Sequence, residues 1–160
     1  GSWNEARMID ILSILKEKGL TLSTAESCTG GLIAKMITDI PGASSVFKGG
    51  VCAYANEAKE RVLSVSSEYL KSYGAVSEPV ALQMARGAKR VFKTDTAIAT
   101  TGIAGPASDN TSKPVGLVYI AIALPRGRYI IRELHLKGTR DEIRNETARE
   151  AIKLLAEMIR

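Results

Sequence analysis

The sequence predicts a single three-layer α/β/α domain with a mixed sheet, and three observations support this fold class. Helix-like and strand-like patterns alternate early in the chain, which is typical of parallel strands joined by helices. Later, two strand-like segments flank Pro-Arg-Gly-Arg, a hairpin pattern that adds antiparallel strands. The 160 residues are 45% hydrophobic and only 5% aromatic, which predicts one core built mostly of Ala, Ile, Leu and Val.

The helices are predicted from apolar periodicity and from residues that begin or end helices. Asn4 is the predicted N-cap of the first helix, and Gly19 ends it. Ser77 is the predicted cap of a longer helix, whose first turn tolerates Glu78 and Pro79. The predicted helices cover residues 4–18, 29–38, 57–64, 67–73, a segment beginning after Ser77, and about 140–160.

The strands are predicted over residues 20–26, 45–54, 95–101, 115–124 and 129–136. Ligands of α/β domains tend to bind beyond the carboxyl ends of parallel strands. We therefore expect a binding site where three loops leave the first three strands, at residues 26–31, 54–59 and 102–114.

Charge and composition restrict the classes of protein that this chain can belong to. The net charge is +5, but the basic residues are scattered over predicted helix faces, so nucleic-acid binding is not expected. No apolar run approaches the roughly 20 residues of a membrane span. No signal-peptide pattern is visible, so we expect a cytoplasmic protein. Gly1-Ser2 is typical of residues left by cloning, and the predicted single domain covers residues 3–160.

The chain has two cysteines and one histidine, which is too few for a structural zinc site. Cys28 and Cys52 lack C-x-x-C spacing, and a disulfide between them is disfavoured in a reducing cytosol. We therefore expect neither a metal nor a cofactor.

The segment "TAESCTGG" places two candidate nucleophiles, Ser27 and Cys28, side by side at a predicted strand end. Gly30 and Gly31 follow, and they either form a plain tight turn or let the backbone approach a ligand closely. The helix that they open would present N–H groups to an oxyanion or a phosphate. Residues 101–105, after a later strand, offer a second such surface.

Several motifs occur in a fixed order: "TAESCTGG", "GGVCAYANEAK", "GAVSEPVA", "TGIAGP" and "KPVGLVYIA". Together they resemble the CinA C-terminal domain family, whose stand-alone members include nicotinamide-nucleotide amidases, from about residue 7 to 160. The resemblance implies a five-stranded mixed sheet. It also implies hydrolysis of the carboxamide of nicotinamide mononucleotide to nicotinate mononucleotide and ammonia. The family's nucleophile corresponds to Ser27, and its partners correspond to Tyr54 and Lys59.

Further residues are candidates for binding the nucleotide substrate. Arg140 and Arg144 lie one turn apart at the start of the last helix, where the helix dipole disfavours cations, so a shared phosphate would stabilise them. The alternative is a solvated surface pair. The full candidate set is Thr29, Gly30, Gly31, Asn56, Gly102, Gly105, Arg140 and Arg144.

Two loops depart from the family pattern. The family commonly has "GPxGG" where this chain has residues 105–109, "GPASD", and Gly-Asp-Arg where this chain has residues 138–140, "GTR". We expect both loops to shape the substrate pocket.

Amide hydrolysis by a serine requires a base. The single histidine, His135, lies on the polar face of a predicted strand, which leaves lysine as the base. Lysine normally titrates near 10.4, so Lys59 must be partly buried to lose its proton. The Tyr54 hydroxyl could bridge Ser27 and Lys59, and Glu26 could orient a donor or pair with Lys59.

Two functions are compatible with these residues. The first is a cofactor-free amidohydrolase that uses Ser27 and Lys59, with Cys28 as a small, half-buried residue. The alternative is a non-catalytic nucleotide- or DNA-binding domain linked to competence or DNA damage. The expected partner is a small nucleotide rather than a membrane or a nucleic acid, and we expect a homo-oligomer, with a dimer favoured.

Overall fold

The computed structural model describes residues 5–160, so the predicted cap Asn4 and the Gly1-Ser2 pair lie outside the described residues. Its centre is a five-stranded sheet in the order β2-β1-β3-β4-β5. The strands are β1 Leu22–Glu26, β2 Phe47–Cys52, β3 Thr96–Gly102, β4 Leu117–Ala123 and β5 Tyr129–His135. β1 is parallel to β2 and β3, whereas β4 is antiparallel to both β3 and β5. The predicted mixed sheet and late hairpin are confirmed.

Helices cover both faces of this sheet. They are α1 Glu5–Glu17, α2 Leu32–Thr38, α3 Asn56–Leu63, α4 Ser67–Tyr73, α5 Glu78–Phe92 and α6 Arg140–Ile159. α1, α2 and α6 share one buried cluster with the large side chains of the strands, whereas α3 and α5 share another. None of the helices in residues 5–160 combines the length and apolarity needed to cross a membrane.

The two faces of the sheet carry side chains of different size. Side chains alternate along a strand, so β3 directs Ile98 to the cluster of α1, α2 and α6 and Ala97 and Ala99 to the cluster of α5. β4 repeats the pattern with Ile122 facing one way and Ala121 the other. The alanine face lets α5 lie close to the sheet, and the isoleucine face fills the wider layer.

Helix α5 also lies against the end of α3 without room for a side chain between them. A Cβ added at Gly87 would lie 2.4 Å from the main-chain oxygen of Leu63, the last residue of α3. This close contact fixes the position of α3 relative to the sheet, and α3 carries Lys59.

Two local predictions need correction. The second helix begins at Leu32 rather than Thr29, because Gly30 and Gly31 have φ values of 58° and 102°, which are not helical. Ser77 precedes α5 as predicted, but its hydroxyl donates to the Gly74 carbonyl at 2.8 Å instead of capping the helix.

The carboxyl ends of β1, β2 and β3 meet at one edge of the sheet. Glu26 at the end of β1 is in register with Cys52 of β2 and Thr100 of β3. The three loops singled out in the sequence therefore leave the sheet from the same edge.

Candidate active site

A cleft that opens to solvent lies at this edge. Its walls come from the loop after β1, the start of α3, the segment before α5, the loop after β3, and the start of α6. The lining residues are Ser27, Cys28, Tyr54, Asn56, Lys59, Ala75, Val76, Thr101, Gly102, Ala104, Asp109 and Arg140.

Ser27 and Lys59 are adjacent in this cleft. Lys59 Nζ lies 3.0 Å from Ser27 Oγ and donates a second hydrogen bond, of 2.9 Å, to the Tyr54 carbonyl. Lys59 is only 1% exposed and Ser27 is 8% exposed. Burial lowers the pKa of the Lys59 amine from its usual 10.5, because the charged form loses hydration.

The local fold explains how these two side chains meet. The Ser27 N–H donates to the Thr100 carbonyl at 3.0 Å, so the sheet pairing between β1 and β3 extends one residue beyond β1. Lys59 lies one turn into α3, with its N–H bonded to the Ala55 carbonyl. Side chains on a helix tilt toward its N-terminus, which here brings the amine to the end of β1.

Of the two predicted roles of Glu26, orienting a donor or pairing with Lys59, its hydrogen bonds agree with the first. Its carboxylate, in a residue that is 1% exposed, accepts hydrogen bonds from the Ile33 N–H at 2.9 Å and the Ala34 N–H at 3.0 Å. It also accepts from the Thr29 hydroxyl at 2.6 Å. Glu26 therefore caps the first turn of α2, where a negative charge is favoured by the helix dipole.

This cap corrects the prediction for the turn that follows Ser27. Thr29 is fully buried, and its hydroxyl is bonded to Glu26 and to Thr100, so it does not reach the cleft. Gly30 and Gly31 are also absent from the described lining of the cleft. The N–H groups of Ile33 and Ala34 already bind Glu26, so the first turn of α2 is not the expected anion site.

Arg144 holds the same turn from α6. Its Nε donates to the Cys28 carbonyl at 3.0 Å, and its Nη2 donates to the Thr29 carbonyl at 3.2 Å. A Cβ added at Gly30 would lie 3.0 Å from Arg144 Nη2, which explains why a glycine suits this position. Arg144 does not line the cleft among the described residues, so the phosphate site shared with Arg140 finds no support in this geometry and stays a prediction.

Arg140, in contrast, lies in the cleft wall. Its Nη1 donates to the Gly105 carbonyl at 2.6 Å, and its Nη2 donates to the Tyr54 hydroxyl at 3.1 Å. Gly105 thus borders the site through its carbonyl rather than by lining the cleft. The Tyr54 side chain is 62% exposed and points to Arg140, so the expected hydroxyl bridge between Ser27 and Lys59 is wrong; only the Tyr54 carbonyl reaches the lysine.

Cys28 is the alternative nucleophile and His135 is the alternative base, and the structure favours neither role. Cys28 is 6% exposed, and burial raises the pKa of its thiol to about 12, whereas the thiolate is the nucleophilic form. His135 lies on β5, at the opposite edge of the sheet from β2, and pairs with Glu133 at 2.6 Å. Cys28 is therefore a poor nucleophile, and His135 is not among the described residues that line the cleft.

Asn56 and Gly102 line the cleft, as expected. Six further lining residues were not in the predicted set: Cys28, Ala75, Val76, Thr101, Ala104 and Asp109. Ala75 and Val76 belong to the "GAVSEPVA" motif, and Thr101 and Ala104 belong to "TGIAGP", so the motifs were the available signal for these four. Cys28 was considered only as an alternative nucleophile, and Asp109 ends the "GPASD" segment that was expected to shape the pocket. Residues 5–160 contain no group of three or more His, Cys, Asp or Glu side chains arranged to hold a metal ion.

The fold and the cleft define a class of protein: an α/β domain in which a serine and a buried lysine lie beyond the carboxyl ends of the parallel strands. Residues 5–159 match the model of the CinA C-terminal domain, and the chain belongs to this family. The resemblance found in the motifs is therefore confirmed.

Individual relatives agree with the family assignment. A CinA-like protein from Geobacter sulfurreducens is 51% identical over 145 residues, 91% of this chain and 35% of the relative. A CinA-like protein from Dictyoglomus turgidum is 47% identical over 145 residues, again 91% of this chain and 35% of the relative. The chain thus spans about a third of the length of these curated relatives.

A solved structure extends the likeness to three dimensions. The crystal structure of the competence/damage inducible protein CihA from Agrobacterium tumefaciens matches with a TM-score of 0.93 and 42% identity, over 98% of this chain and 95% of that chain.

Proposed function

We propose that this domain is an amidohydrolase in which Ser27 is the nucleophile and Lys59 is the general base. The observation that carries the proposal is the 3.0 Å separation of Lys59 Nζ and Ser27 Oγ in the wall of an open cleft. A buried amine with a lowered pKa is a suitable base for a serine hydroxyl, as in other Ser–Lys enzymes.

The first chemical step transfers the acyl group to the enzyme. Ser27 Oγ attacks the carboxamide carbon while its proton moves to Lys59 Nζ. The C–N bond then breaks, and the proton moves from Lys59 to the leaving nitrogen, which departs as ammonia. An ester on Ser27 Oγ remains.

The second step releases the product. A water molecule gives a proton to Lys59 and attacks the ester carbon; Ser27 Oγ leaves and regains that proton. The oxyanion of each tetrahedral intermediate needs N–H donors, and we assign the main-chain N–H of Cys28, which directly follows the nucleophile. The N–H groups of Ile33 and Ala34 are already engaged by Glu26.

The proposed substrate is nicotinamide mononucleotide, and the proposed product is nicotinate mononucleotide. The support is the family, together with a cleft that brings Ser27, Lys59 and the cation Arg140 into one wall. Arg140 is a cation of the cleft wall and is the proposed partner of the phosphate.

The test is release of ammonia from nicotinamide mononucleotide by the purified domain. Ser27→Ala should lower the rate by about 10³-fold or more, the scale expected for loss of a covalent nucleophile. Cys28→Ala, which keeps the main-chain N–H, should retain most of the rate. Equal losses in both variants, or activity that survives Ser27→Ala, would reject the assignment. Salt-dependent DNA binding without ammonia release would favour the non-catalytic alternative.

A further inference from the structure

The cleft contains a carboxylate that the proposed chemistry does not use. Asp109 lies in the loop between β3 and β4 and lines the same cleft as Ser27 and Lys59. Asp109 is the last residue of the segment "GPASD", residues 105–109.

One oxygen of this carboxylate is occupied within its own loop. Asp109 Oδ1 accepts a hydrogen bond from the Thr111 N–H at 3.1 Å and another from the Thr111 hydroxyl. Within residues 5–160, no group donates to Asp109 Oδ2, and no cation pairs with it. One acceptor atom is therefore free to meet a ligand.

The loop that carries Asp109 is anchored at both ends. Arg140 donates to the Gly105 carbonyl at 2.6 Å on one side. On the other side, Lys113 Nζ donates to the Tyr73 carbonyl at 2.6 Å and to the Val76 carbonyl at 2.5 Å. These contacts hold the carboxylate at the cleft, as a residue that selects substrates requires.

The charge and hydrogen-bonding capacity of Asp109 Oδ2 determine which part of a nucleotide it can bind. An ionised carboxylate only accepts hydrogen bonds, so it repels a phosphate and binds a donor. The carboxamide must lie at Ser27, and the phosphate is placed on Arg140 by the proposed function. The remaining donors of a nicotinamide nucleotide are the hydroxyl groups of the ribose, which lies between those two ends.

We propose that Asp109 is a specificity-determining residue that accepts a hydrogen bond from a ribose hydroxyl of the substrate. The proposal rests on the proposed function for its substrate class. It makes the domain selective for amides of ribosides over those of deoxyribosides.

The experiment compares nicotinamide mononucleotide with its 2′-deoxy and 3′-deoxy analogues. In the unmodified protein, removal of the hydroxyl that meets Asp109 should lower kcat/KM by about 10-fold to 100-fold, the scale of a hydrogen bond to a charged group. In Asp109→Asn, which keeps an acceptor for Thr111, the ribo and deoxy substrates should differ much less. Thr111→Val is the matched control, because it weakens the loop but keeps the carboxylate and should keep the discrimination.

Three results would overturn the inference. They are equal kcat/KM for the ribo and both deoxy substrates, discrimination that persists in Asp109→Asn, and the same loss of discrimination in Thr111→Val. A rise in kcat/KM for the ribonucleotide in Asp109→Asn, without loss of discrimination, would instead show that the carboxylate faces the phosphate.

Calorimetric titration of the Ser27→Ala variant with the same three compounds separates this inference from the proposed function. Failure to release ammonia counts against the proposed function alone. The affinities still decide the role of Asp109: weaker binding of one deoxy compound supports it, and equal or undetectable binding of all three rejects it.

Discussion

At the scale of single residues, Lys59 is a lysine whose side chain is buried, whereas lysines usually extend into water. Its amine is bonded to the Ser27 hydroxyl and the Tyr54 carbonyl, neither of which is a carboxylate. A carboxylate partner would hold the amine protonated, whereas burial favours the uncharged form. This environment supports the proposed role of Lys59 as the base, in place of the histidine that most serine hydrolases use.

This environment predicts the pH dependence of the reaction. The neutral amine is the active form, so kcat/KM for nicotinamide mononucleotide should rise with pH as Lys59 loses its proton. Because burial lowers the pKa of Lys59, the midpoint of the rise should lie below pH 10.5, the usual value for lysine. A rate profile from about pH 5 to 11 checks it.

The control for this profile is Lys59→Met, which should be inactive at every pH, whereas Lys35→Met, at an exposed lysine paired with Asp39, should keep the profile. A rise with its midpoint at or above pH 10.5 would contradict the lowered pKa of Lys59, and a flat profile would mean that the rate does not depend on the titration of Lys59 in this range.

The sequence predicted site residues only where they belong to a recognisable motif or where their contacts are local in sequence. Ser27, Lys59 and Asn56 were assigned from motifs, and all three line the cleft. Arg144 bonds to carbonyls 115 and 116 residues away in sequence, so no local pattern could distinguish a phosphate ligand from a clamp on the turn. The same limit applies to Glu26, whose cap on α2 depends on how the chain turns.

At the scale of elements, α6 serves the site through two arginines with different tasks. Arg140 faces the cleft, and Arg144, one turn later, fixes the carbonyls of Cys28 and Thr29. The helix itself begins at a capping box formed by Thr139 and Glu142. A well-defined helix start keeps both guanidinium groups in register with the turn.

Arg144→Lys should lower kcat more than it raises KM. A lysine cannot donate in a fixed fork to two carbonyls, so the turn that carries Ser27 would shift, and a displacement of about 1 Å can cost roughly 100-fold in rate. Steady-state kinetics with nicotinamide mononucleotide measure both parameters. Arg149→Lys, on the same helix and paired with Glu146, is the control and should leave both unchanged.

A rise in KM alone for Arg144→Lys would contradict this account, because it would indicate that Arg144 binds the substrate directly.

The sequence predicted which helices and strands form more accurately than it predicted the residues at which they begin and end. The late hairpin was recognisable because Pro-Arg-Gly-Arg separates two β-patterned runs, and these became β4 and β5. The start of α2 was misplaced because Gly30 and Gly31 take positive φ values, which the helix-start signals of a sequence do not specify. The turn is instead defined by tertiary contacts from Glu26 and Arg144.

At the scale of the whole molecule, the site depends on the layer formed by α5 and α3. The alanine face of the sheet brings α5 close, and Gly87 brings α5 against Leu63 at the end of α3. Lys59 lies one turn before Leu63 on the same buried face of that helix, so this packing contributes to the position of the Lys59 amine relative to Ser27.

Gly87→Ala should therefore reduce both stability and activity. The added Cβ would lie 2.4 Å from the Leu63 carbonyl oxygen, and overpacking of this kind typically costs about 1–3 kcal/mol of unfolding free energy. Urea denaturation measures the loss, and ammonia release at a temperature where the variant is folded measures the displacement of Lys59. Ala88→Gly, at the next position, is a control that weakens the helix without pushing α3.

Loss of stability with an unchanged rate in the folded Gly87→Ala variant would show that α3 keeps its position by other contacts. The expected dimer stays a prediction at this scale, and sedimentation velocity tests it.

The main-chain N–H of Ser27 is bonded to β3, so the proposed nucleophile is tied to the central sheet. Residues 106–112, between the anchored Gly105 and Lys113, are exposed and can be exchanged without removing either anchor. Laboratory libraries confined to these residues should therefore change which sugars are accepted while Ser27 and Lys59 stay in place.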